Sequence, residues 1–157
     1  MTERAAGLVE ELIAARADFL SALEAAEAAH PGGSALIGEW GARELLAHLG
    51  YWAGHAVEGI HAVESGRAEE FGADRLSVEE VNVTVARVAR QTNLATVGKR
   101  ELASVEALVD RLHVMDPSLL DIALPHHGLT LEQGLREDGS AHYREHADEL
   151  RSLQVGR

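Results

Sequence analysis

The sequence predicts an all-α protein, a four-helix bundle formed by a single domain over residues 1–157. Only 4% of the residues are aromatic, too few for a β-sandwich or barrel, whose strands are rich in aromatic and β-branched side chains. Apolar residues recur at spacings of three and four along most of the chain, which is typical of amphipathic helices. Breaks in this pattern leave four long helices, which indicates a bundle.

The first helix is predicted over residues 3–29 and the second over residues 41–65. The segment His30-Pro31-Gly32-Gly33 ends the first helix, because proline disfavours a helical residue before it and glycine frees the backbone. Gly66 follows the second helix, where glycine accepts the left-handed backbone that commonly ends a helix. The polar stretch over residues 67–76 is predicted to be a loop.

The third helix begins with the capping box that runs from Ser77 to Glu80. The apolar pattern weakens over residues 92–98, which predicts a kink or a short break, and resumes over residues 99–113. Proline ends this helix, and one further turn is predicted over residues 118–124. The connection over residues 113–130 is therefore the long crossover of the bundle.

The final helix is predicted over residues 130–153, and it starts with a second capping box, from Thr130 to Gln133. The apolar stripe is expected to continue through Gly134 and Gly139 of this segment. His142 and His146 lie on that stripe together with leucines, so both rings are predicted to face the interior.

Charge and composition exclude several classes of partner. The chain carries 26 acidic and 14 basic residues, a net charge of −12, which repels nucleic acid and anionic membrane surfaces. No secretory signal and no membrane-spanning stretch is visible, so a cytoplasmic protein is expected. The absence of cysteine excludes thiolate nucleophiles and cysteine-bound zinc. A small-molecule substrate is the expected partner.

The histidines carry the chemical signal of this sequence. His142 and His146 are one helical turn apart, so both imidazoles project the same way and can reach one ion. His48 lies between inward-facing neighbours on the second helix, and His55 follows seven residues later on the same side. Inward histidines from two helices would bind a divalent metal and leave a coordination position open. The alternative is a set of core histidines that satisfy one another through water.

Three acidic residues lie within a turn or two of these histidines. Asp138 is the candidate to fix a histidine tautomer, because it precedes His142 by four residues on the same stripe; a place on the helix surface is the alternative. The sequence singles out none of Glu44, Asp138 and Glu149 as a general base.

Several other histidine and aromatic residues are predicted to have structural roles. The pair His126-His127 lies in a proline- and glycine-bounded stretch that predicts an exposed loop. His30 is expected at the end of the first helix. Trp40 and Trp52 are predicted to anchor the core.

Two segments of the chain resemble the DinB-like superfamily, also known as the YfiT-like metal-dependent hydrolases. One is Trp40-Gly41-Ala42-Arg43-Glu44-Leu45-Leu46-Ala47-His48-Leu49, which is similar to W-x-x-(R/K)-(D/E)-(L/V)-(L/V)-x-H-(L/I). The other, residues 142–150, is similar to the closing H-x-x-x-H-x-x-x-(I/L) helix. The resemblance implies a four-helix bundle with one long crossover, often a homodimer. It also implies that His48, His142 and His146 hold a divalent ion such as zinc or nickel.

This resemblance implies a metal-dependent enzyme that acts on a small electrophile in stress or detoxification. Its relatives include mycothiol-dependent maleylpyruvate isomerases, other thiol S-transferases and hydrolases of reactive rings. The ion would lower the pKa of bound water or of an external low-molecular-weight thiol such as mycothiol. The first alternative is a non-catalytic bundle that sequesters a small toxic molecule near Trp52. The second is a dimeric stress protein without a metal.

Overall fold

The computed structural model describes residues 1–33, 35–74 and 76–155, and it is mostly helical with little strand, which confirms the all-α class. Ser34, Arg75, Gly156 and Arg157, which belong to the predicted domain, lie outside the described residues. The α-helices are α1 Glu3–Ala29, α2 Ala42–Glu64, α3 Val78–Arg90, α4 Leu94–Val114, α5 Leu131–Asp138 and α6 Ser140–Val155. A 3₁₀ helix spans Pro117–Asp121, and a short antiparallel hairpin joins β1 Ala123–Leu124 to β2 Leu129–Thr130.

Side-chain caps determine where several helices begin. The Ser77 hydroxyl accepts from the Glu80 amide at 3.2 Å, while the Glu80 carboxylate accepts from the Ser77 amide at 2.9 Å. Thr130 and Gln133 make the same reciprocal pair at the start of α5, so both predicted capping boxes are confirmed. The Glu44 carboxylate accepts from the Gly41 amide and closes the first turn of α2. These caps satisfy amides that have no partner within the helix.

Two predicted boundaries differ from the structure. Helix α4 begins at Leu94 and not at residue 99, because the Asn93 side chain accepts from the Thr96 amide at 2.8 Å and acts as the N-cap. The predicted single helix over residues 130–153 is interrupted at Gly139, whose φ and ψ are both −108°. A Cβ at residue 139 would lie 2.7 Å from the Leu135 carbonyl oxygen, so the break depends on glycine.

Helix α2 occupies a central place in the fold. It packs along α4 and also contacts α3 and α5, while α1 packs along α6. The main hydrophobic cluster draws on α1, α2, α4, α5 and α6, and Phe19 contacts Tyr143 edge-to-face with ring centroids 5.7 Å apart. None of the described helices combines the length and the apolar character that crossing a bilayer requires. The packing places one face of α2 opposite α6, where the predicted histidines lie.

A buried ionic network joins α1, α4 and α6, and no local pattern of the sequence predicts it. Glu101 is only 1% exposed, and both its oxygens accept from the Arg16 guanidinium at 2.8 Å. The Tyr143 hydroxyl donates to the same carboxylate at 2.5 Å. Burial and the nearby Glu101 charge raise the pKa of Tyr143, and the hydrogen bonds to Glu101 raise the pKa of Arg16. Tyr143 therefore stays protonated and holds α6 in place beside His142.

Candidate metal centre

Three histidines from two helices meet at one point of the molecule. Each of His48, His142 and His146 offers one ring nitrogen, and these atoms all lie within 4.8 Å of one another. The Nε2 atoms of His48 and His142 are 2.7 Å apart, and the ring centroids of His142 and His146 are 4.9 Å apart. The structure thus brings together the three residues that the sequence predicted.

Helix geometry explains why these rings converge. His142 and His146 occupy successive turns of α6, so their side chains leave the helix in nearly the same direction. His48 lies on the face of α2 that also carries the fully buried Leu45 and Leu49. The Trp40 ring lies against His48 with centroids 4.8 Å apart and limits the space open to that imidazole. Trp40 is half-buried, so it belongs to the wall of the site as well as to the edge of the core.

The electrostatics of the cluster favour neutral imidazoles. Burial, together with the neighbouring His142 and His146 rings, lowers the pKa of His48 to about 3. Burial also lowers the pKa of His142 to about 4, with a contribution from His146. Burial lowers the pKa of His146 too, although the nearby Glu149 and Glu145 carboxylates act in the opposite direction. Neutral imidazole is the form that binds metal ions.

The hydrogen bonds within the cluster leave buried nitrogens without partners. His48 and His142 share one hydrogen bond, but His48 Nδ1 and both ring nitrogens of His146 are buried and have no hydrogen-bond partner among the described residues. Glu149 Oε1 lies 3.3 Å from His146 Nδ1 without the alignment of a hydrogen bond. A buried polar atom without a partner costs about 1–3 kcal/mol. A divalent ion bound by imidazole lone pairs would remove part of this cost, so these residues fit such an ion.

The carboxylates near the cluster differ from the prediction. The Asp138 carboxylate bonds to His55 and not to a histidine of the cluster. Its Oδ2 lies 2.6 Å from His55 Nδ1. The reason is the helix break at Gly139, which separates Asp138 from the α6 stripe. Glu44 caps α2 and pairs with Arg90 at 3.5 Å. Glu149 is therefore the predicted carboxylate whose side chain lies beside the cluster.

A cavity of about 270 Å³ adjoins two of the clustered histidines. Trp52 is buried, as predicted, but it also lines this cavity, and its indole nitrogen donates to Asn82 Oδ1 at 3.0 Å. This bond ties α3 to α2 on the cavity wall. The cavity is lined by His48, Trp52, His55, Val78, Asn82, His127, Glu137, Asp138, His142 and Glu145. Its wall combines the apolar surface of Trp52 and Val78 with a majority of polar and ionisable side chains.

The prediction of an exposed loop is wrong for His127. This residue is half-buried, and its ring stacks on Phe71 with centroids 4.6 Å apart and an interplanar angle of 14°. Gly72 has a φ of +84°, and a Cβ there would lie 2.6 Å from His127 Cε1, so only glycine allows this approach. His126 is exposed, as predicted, and its Nε2 donates to the Glu69 carbonyl at 2.9 Å. The sequence signal that could have predicted this contact is Phe71, an isolated phenylalanine in a polar stretch.

Comparisons with family models, curated proteins and solved structures found no match for this chain. The structure itself shows an α-helical fold and a three-histidine cluster beside a cavity.

The lowered histidine pKa values predict a pH-dependent stability for the metal-free protein. A histidine that is neutral when folded takes up a proton on unfolding below pH 6.5, so stability is full above that pH and falls as the pH falls toward about 3 for His48. His48→Gln should remove about 2 kcal/mol of the stability difference between pH 7 and pH 5. Urea unfolding with a chelator at both pH values measures this. His61→Gln, at an exposed histidine, is the matched control; an equal effect of both substitutions would contradict the prediction.

Proposed function

We propose that this chain is a divalent-metal-dependent enzyme of the DinB-like type, a four-helix bundle in which His48, His142 and His146 hold one zinc or nickel ion. The observation that carries the proposal is the convergence of three histidines from α2 and α6 within 4.8 Å, in a chain without cysteine. The buried nitrogens of His48 and His146 without a hydrogen-bond partner in the described part of the chain support it. A bound ion would supply Lewis acidity and would lower the pKa of a group that binds to it.

The cavity beside the cluster indicates a small substrate. Its volume of about 270 Å³ lies just below the range that is usual for drug-sized ligands, roughly 300–1,000 Å³. Trp52 and Val78 offer apolar surface, while Asn82 offers an amide that is already held by the Trp52 indole. These residues would orient a small electrophile against the histidines and exclude water from it. We therefore place the reaction among thiol transfers, isomerisations and hydrolyses in stress or detoxification.

An external thiol is part of this proposal. The chain has no cysteine, so a low-molecular-weight thiol such as mycothiol would have to enter the cavity together with the electrophile. Hydrolysis needs no such thiol and remains within the same proposal. Turnover of an electrophile with and without added thiol separates these two reaction classes.

The second candidate function is non-catalytic binding of a small molecule, for sequestration or self-resistance. The observation that favours it is the Trp52–Asn82 hydrogen bond on the cavity wall, which presents an aromatic surface and a polar group without any need for an ion. Binding of equal strength before and after chelation, without turnover, would support this function. Loss of binding on chelation would support the enzyme.

Metal analysis of protein purified without a histidine tag tests the enzyme proposal. We expect about one ion per chain after loading with zinc or nickel and removal of the excess. His142→Ala should reduce the bound metal to background, because it removes one of the three clustered ligands. His61→Ala, at an exposed histidine of α2, should keep it. Equal metal content in both variants, or no metal in the original protein, would refute the site.

A further inference from the structure

We infer that His55 and Asp138 form a proton-transfer pair on the wall of this cavity, in which His55 Nε2 accepts a proton from a bound molecule and Asp138 is the positioning residue. The inference rests on the proposed function, since it names the group that would take the proton of a thiol or hydroxyl bound beside the three histidines. The residue spacing predicts that His55 lies on the inward side of α2 but indicates no role for it.

The hydrogen bond between the two side chains defines the tautomer of His55. Asp138 Oδ2 lies 2.6 Å from His55 Nδ1, and the side chains are only 20% and 11% exposed. An ionised carboxylate can only accept hydrogen bonds, so Nδ1 carries the proton and Nε2 carries the lone pair. Nε2 makes no hydrogen bond among the described residues. The ring is thus prepared to accept a proton at Nε2.

Aromatic neighbours hold the His55 ring in this orientation. The Trp52 ring lies edge-on at 5.0 Å and the Phe71 ring lies at 4.7 Å, measured between centroids. His127 stacks on Phe71, and its ring centroid lies 5.4 Å from that of His55. These rings restrict rotation of the imidazole and shield the pair from bulk water, which strengthens its hydrogen bond.

The pair and the histidine cluster line the same cavity, but they are separate groups. His48 and His142 share that cavity with His55 and Asp138, yet the ring nitrogen of His48 is engaged with His142. The other titratable residues on the cavity wall are His127, Glu137 and Glu145. Of the carboxylates on that wall, Asp138 is the one that bonds to His55.

Each proton in the proposed step has a defined donor and a defined acceptor. A bound molecule with an acidic S–H or O–H gives its proton to His55 Nε2, and the bonding electron pair stays on sulfur or oxygen. The ring becomes an imidazolium ion. Its Nδ1–H still donates a hydrogen bond to Asp138, and the carboxylate stabilises the positive charge. The proton returns to the product or to water when the product leaves. No oxidant, reductant or second reactant is needed.

Asp138→Asn tests the inference through the reactivity of His55 toward diethyl pyrocarbonate, which attacks an unprotonated ring nitrogen. The amide can donate to Nδ1 and thus favour the tautomer with the proton on Nε2. We expect the rate of His55 modification, followed by peptide mass spectrometry, to fall about tenfold or more. Glu137→Gln changes the adjacent acid on the same wall and should leave the rate unchanged. Exposed His61 provides the reference rate in each sample.

Nitrogen-15 NMR of histidine-labelled protein reads the tautomer directly, without any need for Asp138→Asn to fold. His55→Gln assigns the signal, and we expect His55 with its proton on Nδ1. A His55 proton on Nε2, or equal modification rates in Asp138→Asn and the original protein, would overturn the inference. Metal content measured on the same samples keeps the two proposals apart. If Asp138→Asn slows the modification of His55 but the protein binds no metal, only the metal centre is refuted. If the protein binds metal but Asp138→Asn leaves the modification rate unchanged, only the pair is refuted.

Discussion

Zinc added to the metal-free protein is expected to raise its free energy of unfolding by about 4 kcal/mol when the free ion exceeds its dissociation constant a thousandfold. The reason is that the ligand set exists only in the folded chain. His48 and His142 are 94 residues apart in sequence, yet their Nε2 atoms are 2.7 Å apart in the structure. An ion that binds the folded state and not the unfolded state shifts the equilibrium by mass action. Urea unfolding with and without zinc measures the gain.

His142→Ala should lose most of this gain, whereas His61→Ala should retain it. Both substitutions remove one histidine, so they change binding to the unfolded chain equally. The first also removes a half-buried ring from the cluster, and the second removes an exposed ring. A zinc gain of the same size in His142→Ala and His61→Ala would place the ion outside the three-histidine cluster. Nickel should follow the same order of variants, because imidazole suits both ions.

Glu101→Ala is expected to lower the free energy of unfolding by about 3 kcal/mol or more. The substitution removes the carboxylate that accepts two hydrogen bonds from Arg16 and one from Tyr143. Arg16 then keeps a partly buried charge without its counterion, and Tyr143 keeps a buried hydroxyl without its acceptor. Urea unfolding at pH 7 measures the loss.

Glu106→Ala is the matched control for this prediction, because Glu106 is an exposed glutamate of the same helix. It should change stability by no more than about 0.5 kcal/mol. Tyr143→Phe should lose about 1.5 kcal/mol, since it removes the bond to the charged acceptor but keeps the edge-to-face contact with Phe19. Equal losses in Glu101→Ala and Glu106→Ala would show that the network contributes no net stability.

The histidine cluster illustrates how much of a site local patterns contain. A spacing of four residues predicts that His142 and His146 share a face of α6, because the α-helix repeats every 3.6 residues. The neighbours of His48 likewise predict that it faces inward on α2. Both predictions are confirmed, since all three ring nitrogens lie within 4.8 Å. The capping boxes at Ser77 and Thr130 are confirmed for the same reason, because hydrogen bonds between near neighbours depend little on the rest of the fold.

The assignment of Asp138 shows where this reasoning fails. Its spacing from His142 predicts a contact along a continuous helix, but the chain turns at Gly139 and the carboxylate reaches His55, 83 residues away. Glycine tolerates both a helical and a broken backbone, so periodicity alone cannot choose between them. Periodicity also fails to predict the burial of His127, because that burial depends on a distant loop that carries Phe71.

The sequence by itself determined the α-helical class, the caps and the inward direction of the three histidines, because these follow from residue spacing and from bonds within a few residues. Only the tertiary structure decided which inward faces meet. It paired Glu101 with Arg16 across 85 residues, brought Phe71 onto His127, and set the His55–Asp138 pair beside the cluster. Such contacts arise from the packing of whole helices and loops around a common core, and no local period of the chain contains that information.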